Sequence, residues 1–106
     1  MSQINKLIRE LLAYRMTEYI LTEMPKKYNV LSNQYIIKLR FSDIANIGAK
    51  LGLKPGQARW IFNHYVMKFM EYEGWELVES RHIRGKAHYI FRHSKRGANF
   101  LNPEGE

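Results

Sequence analysis

From Ile4 to about Met24 the chain is a run of good helix formers without glycine or proline, and Pro25 closes it. Ile4, Leu7, Leu11, Tyr14 and Leu21 follow one apolar seam. Ile8, Leu12, Met16, Tyr19 and Ile20 widen it beyond a single core-facing stripe. A helix apolar over so wide an arc needs cover on two sides. One side is the domain's own core. The other is expected to be a partner subunit, with burial by the C-terminal tail as the alternative. Lys26 to Gln34 then reads as a connection, with Asn29, Ser32 and Asn33 as turn formers.

The segment 35–41 is rich in β-branched and aromatic residues and alternates from Ile37 onward, which predicts a short strand. Ser42 suits a helix N-cap with Asp43 in the first turn, and that helix is expected to run to Leu51 and end at Gly52. Pro55 is placed to open a further helix. Ala58, Ile61, Phe62, Tyr65, Phe69 and Tyr72 recur there at helical spacing until Gly74 stops the run. Two extended segments come next, 75–83 and 87–93, separated by Arg84-Gly85-Lys86, where Gly85 can supply the positive φ of a hairpin turn. The pattern predicts an α+β fold in one domain over 1–98, with a loose tail over 99–106.

Composition narrows the function. The 106 residues carry a formal net charge of +7, with 45% hydrophobic and 13% aromatic residues. That is a globular chain whose charge favours polyanions, nucleic acid or an anionic membrane surface, unless it serves solubility alone. The absence of cysteine excludes disulfides, thiolate metal sites and cysteine nucleophiles. No stretch is apolar enough for a signal peptide or a membrane span, so a cytoplasmic protein is expected.

Asp43 is the only aspartate, so the paired aspartates of metal-dependent nucleases are missing, and the glycines form no phosphate loop. Ser80 near His82 has no orienting acid at recognisable spacing. His82 and His88 could face each other across the hairpin, but two imidazoles among cations make a weak metal site. Neither an enzyme, nor a cofactor, nor a small-molecule substrate is expected.

The order helix, strand, helix, turn, helix, two-stranded hairpin resembles winged helix-turn-helix domains, most like small archaeal or archaeal-virus ones with a long first helix. Residues 47–53 look like that family's second helix and turn, with Gly48 where a small residue lets the next helix approach closely. Residues 54–61 resemble the opening of a recognition helix. Glu73-Gly74-Trp75, the Arg84-Gly85-Lys86 turn, Tyr89, Phe91 and Gly97 resemble the helix exit, the wing and the following glycine. The resemblance implies a winged helix-turn-helix fold over 42–73 and 75–93, duplex DNA as partner, and a homodimer on two half-sites.

On a helical wheel with Ala58, Phe62, Tyr65 and Phe69 inward, Arg59, Trp60, Asn63 and Met67 lie outward, and Gln57 and His64 lie near the edges. Arginine can fork onto guanine, and asparagine or glutamine can pair with adenine, in the major groove. Trp60 could pack on sugar and a thymine methyl, or cover the hairpin or the first helix. From Ser80 to Ala98 stand Arg81, Arg84, Lys86, Arg92, Lys95 and Arg96 with no acid, and His82, His88 and His93 among them. A hairpin so basic suits phosphate or minor-groove contact, against the alternative of an edge guarded by charge. Glu71, Glu73, Glu76 and Glu79 are expected on a face turned away. Lys50 and Lys54 flank the inter-helix turn and could grip phosphate.

The candidate DNA contacts are therefore Lys50, Lys54, Gln57, Arg59, Trp60, Asn63, His64, Arg81, Arg84, Lys86 and His88. The candidate dimer contacts are Ile4, Leu7, Leu11, Tyr14 and Leu21. A protein-assembly module and a non-specific architectural binder remain as alternatives.

Overall fold

The computed structural model describes the backbone of residues 3–93 and the side chains from Asn5 onward. The side chain of Ile4, and Lys95, Arg96, Gly97 and the rest of the tail, lie outside the described residues. The elements are α1 (Gln3–Glu23), β1 (Lys27–Asn29), β2 (Gln34–Arg40), α2 (Phe41–Lys50) and α3 (Pro55–Ile61). A π-helical turn (Phe62–Val66) leads into α4 (Met67–Tyr72), then β3 (Trp75–Ile83) and β4 (Lys86–His93). The strands form one antiparallel sheet in the order β1-β2-β4-β3, so β2, the strand that leads into α2, pairs with the last strand, β4. This is an α+β fold: three helical segments cover one sheet face, and the other face is open.

Ala13, Met16, Thr17 and Ile20 turn α1 into the core at the spacing of a single helical face. The Thr17 hydroxyl, buried there, donates to the Ala13 carbonyl at 2.8 Å, so its polar atom is satisfied. The sheet contributes Ile37, Leu39, Tyr89, Phe91 and Trp75, all buried, and α2 contributes Ile44 and Ile47. Phe62 sits at the centre, its ring centroid 5.0 Å from Tyr89 and 6.3 Å from Phe91.

The turn from α2 to α3 forms as its glycines require. Gly52 adopts φ +79, and the Leu53 and Gly52 amides donate back to the Gly48 and Ala49 carbonyls at 2.9 and 3.0 Å. A Cβ on Gly48 would lie 2.4 Å from the Ala58 Cβ, so the crossing of α2 on α3 admits only glycine there.

Three local expectations are corrected, and β3 adds an irregularity. The stretch 26–34 is not merely a connection: Lys27–Asn29 pairs with Gln34–Ile36 as a hairpin. Helix α2 starts at Phe41 rather than after a Ser42 cap, because the Asp43 carboxylate accepts the Arg40 amide at 2.9 Å. The third helical run does not keep one inward stripe to Tyr72. At the π turn the Met67 amide bonds the Phe62 carbonyl, five residues back, and the extra residue rotates the last part of the run. Val66 and Met70 become the buried positions, Tyr65 and Phe69 are half-buried, and Tyr72 is exposed. The strand β3 carries a bulge between Leu77 and Glu79, which turns Glu79, Arg81 and Ile83 to the open face of the sheet.

Candidate nucleic-acid interface

Phe41 and Arg40, adjacent in the chain, link α3 to the open face of the β3–β4 hairpin. Arg59 leaves α3 with its guanidinium 5.9 Å from the ring of Phe41, the first residue of α2. Arg40, the preceding residue, ends β2 and is directly opposite His88 on β4, which is opposite Arg81 on β3. Adjacent strands lie about 4.8 Å apart, so three basic side chains form a row across the open face. The two arginines of this row call for counter-charge. Two acids supply part of it: Asp43 lies 3.7 Å from Arg40, and Glu79 pairs with Arg81. Sequence reasoning missed Arg40. The alternation of β2 already set it apart from Ile37 and Leu39, but its neighbours depend on sheet order and on the β3 bulge.

The hairpin ends in a two-residue turn, Arg84-Gly85, with Lys86 opposite Ile83. Both turn residues have positive φ, +54 for Arg84 and +78 for Gly85. Glycine adopts that conformation freely, whereas a left-handed arginine costs about 1 kcal/mol or more. Asparagine is the residue such a turn prefers at this point. The strained position therefore carries the cation that projects farthest along the hairpin.

The other candidates divide. Asn63 is exposed on the outer surface of the helical run. Trp60 is not a free outward ring: its ring lies 4.9 Å from the Arg9 guanidinium of α1 and stacks on His64 at 4.0 Å, leaving it 41% exposed. His64 Nδ1 donates to the Trp60 carbonyl at 2.8 Å, which leaves Nε2 as its outward atom. Gln57 is turned to the α1 side, where it lines a shallow groove with Ile8 and Trp60, and its Oε1 accepts the Lys54 amide at 2.9 Å. Gln57 thus caps α3, and Lys54 stays exposed beside it. Lys50 is drawn back to α1, paired with Glu23 and 5.1 Å from the Tyr19 ring.

On the sheet, Glu76 and Glu79 do not face away from the cations but share their face, Glu76 pairing with Arg92 at 3.2 Å. Nor do His82 and His88 oppose each other. The register sets His82 against Ala87, and the two imidazoles point to opposite faces. Among the described residues no group of three or more potential metal ligands occurs, and no helix is long and apolar enough to cross a membrane.

Of the candidate dimer contacts, Leu7, Leu11 and Tyr14 lie exposed on the outer side of α1, 65, 64 and 53% accessible, while Leu21 leans partly on the core. Compared with protein-family models, curated proteins and solved structures, the chain matches none.

Proposed function

We propose that this protein is a winged helix-turn-helix binder of duplex DNA that acts as a homodimeric, sequence-specific regulator. The observation that carries the reading is the cationic track running from Arg59 on α3, past Phe41, through Arg40, His88 and Arg81, toward the Arg84 turn. In this reading α3 is the recognition helix. Arg59 and Asn63 read base edges, since both chemistries suit the major groove. Lys54, Arg40, Arg81 and Lys86 hold phosphates, and Arg84 at the wing tip enters the minor groove. Trp60 packs under Arg9 of α1, His64 stacks on Trp60, and Gln57 caps α3, so these three set the pose of the helix more than they read bases.

The exposed Leu7, Leu11 and Tyr14 favour pairing of two copies through α1. Two recognition helices would then meet half-sites about one helical turn apart. The same stripe also fits a second reading, an assembly module whose basic hairpin is incidental. Selection of binding sites from random duplexes separates them, because a regulator enriches a palindromic motif and an assembly module enriches none. Arg59→Ala and Asn63→Ala then relax the choice of base, each by about 1–3 kcal/mol where a bidentate pair with the base is removed.

A further inference from the structure

We infer that the tip of the β1–β2 hairpin is an apolar knob that seats in the groove between α1 and α4 of a second copy of this chain. The inference rests on the homodimer reading above and adds a contact to it.

The tip is unusual in what it displays. Turns are normally built from glycine, asparagine, aspartate, serine and proline, yet here Val30 is 77% and Leu31 99% exposed. The loop that carries them is nonetheless held. Asn29 Oδ1 accepts the amides of Leu31 and Ser32 at 3.0 and 3.3 Å. The Tyr28 hydroxyl donates to Asn33 Oδ1, and Asn33 takes the positive φ of +58 that asparagine tolerates. A preorganised apolar tip loses little freedom on docking, the condition under which a small contact yields affinity.

The receiving surface is a groove of about 680 Å³ lined by Tyr14, Thr17 and Leu21 of α1 and by Phe69 and Tyr72 of α4. Leu11 and Leu7, both exposed, precede Tyr14 on α1 by three and seven residues, on the same helix face. Glu18, Glu73 and Lys26 lie on the groove's rim, two acids to one base in a chain of net charge +7. The knob's root carries the exposed Lys27, so the charges match knob to groove. The tip does not fill its own groove, because a leucine 99% exposed touches almost nothing of its own chain. Knob and groove on every copy allow two reciprocal contacts about one two-fold axis. A stable interface buries about 800 Å² per partner. Val30, Leu31, Leu7, Leu11, Tyr14 and Tyr72 together bring six exposed large apolar side chains to it.

Sedimentation equilibrium on the full chain tests this with Leu31→Ser, Tyr72→Ala and Leu11→Asp. The wild type is expected to be dimeric. Leu31→Ser and Tyr72→Ala should each raise the dimer dissociation constant about tenfold or more, the scale of a central apolar contact, with unchanged circular dichroism and melting temperature. Mixing these two variants should give a heterodimer tighter than either homodimer, because one knob and one groove in it remain intact. A Leu31→Ser dimer as tight as wild type overturns the knob, and if Leu11→Asp dissociates that dimer, pairing through α1 survives without it. A wild type that is monomeric at every concentration overturns both. Assemblies that grow beyond a dimer overturn the reciprocal arrangement. Loss of duplex affinity in Leu31→Ser with self-association intact assigns the tip to DNA and overturns the inference.

Discussion

Arg84→Asn separates folding from binding at the tip of the β3–β4 hairpin. Arg84 holds φ +54 beside Gly85 at φ +78, the mirror-image turn in which asparagine followed by glycine is the favoured pair. A left-handed residue other than glycine or asparagine costs about 1–2 kcal/mol, and asparagine recovers about 1 kcal/mol of it. For a domain of this size that corresponds to a melting temperature about 4–8 °C higher. If Arg84 meets DNA, the same change removes a charge-assisted hydrogen bond worth about 1.5 kcal/mol, or about tenfold in affinity. The slope of log K against log salt should become shallower by about 0.9 if that bond is to phosphate. Arg84→Lys, which keeps both charge and strain, should leave stability and slope close to wild type. Calorimetry and fluorescence anisotropy on the same preparations read both effects. A variant no more stable than wild type refutes the strain at this turn. A more stable variant with unchanged affinity refutes the placement of DNA at the tip.

Three other substitutions test the frame that holds the site. Gly48→Ala gains about 1 kcal/mol of helix propensity, but its methyl would lie 2.4 Å from the Ala58 Cβ. Overpacking costs about 1–3 kcal/mol, so urea denaturation should show a net loss, and a gain would mean that α2 and α3 do not cross this closely. Phe62→Ala empties the centre of the core and should destabilise the fold by about 3–5 kcal/mol in the same assay; a loss below about 1 kcal/mol would contradict its burial. Arg40→Ala should weaken binding to all duplexes alike and lower the salt slope by about 0.9, whereas a change in base preference would make it a reader of sequence.

Much of the fold was legible because it obeys local rules. Pro25, Pro55, Gly52 and Gly85 stand where helices and turns begin or end, and the alternation from Ile37 gave β2 its inner and outer faces. The hidden part depends on single inserted residues. The extra residue of the π turn moved burial from Tyr65 and Phe69 to Val66 and Met70, and the β3 bulge brought Arg81 beside His88 on the open face. Neither insertion has a composition signal, since both are settled by packing against the rest of the sheet and core. The β1 strand was hidden for a different reason: three exposed residues carry no periodicity. At the candidate site, residue types pointed to α3 and the β3–β4 hairpin but not to their roles. Gln57, Trp60 and Lys50 looked available in sequence, and each is engaged by a neighbour that only the fold supplies: the Lys54 amide, Arg9 with His64, and Glu23.

The central claim is that the cationic track from Arg59 to Arg84 binds duplex DNA. An anisotropy titration with mixed duplexes across a salt series tests it most directly, with a pool enriched from random duplexes measured beside it. The expected result is tight binding that weakens steeply with salt, an enriched palindromic motif, and a shallower slope in Arg40→Ala. Absence of binding near physiological salt would contradict it, and would leave the exposed face of α1 as the working surface of the protein.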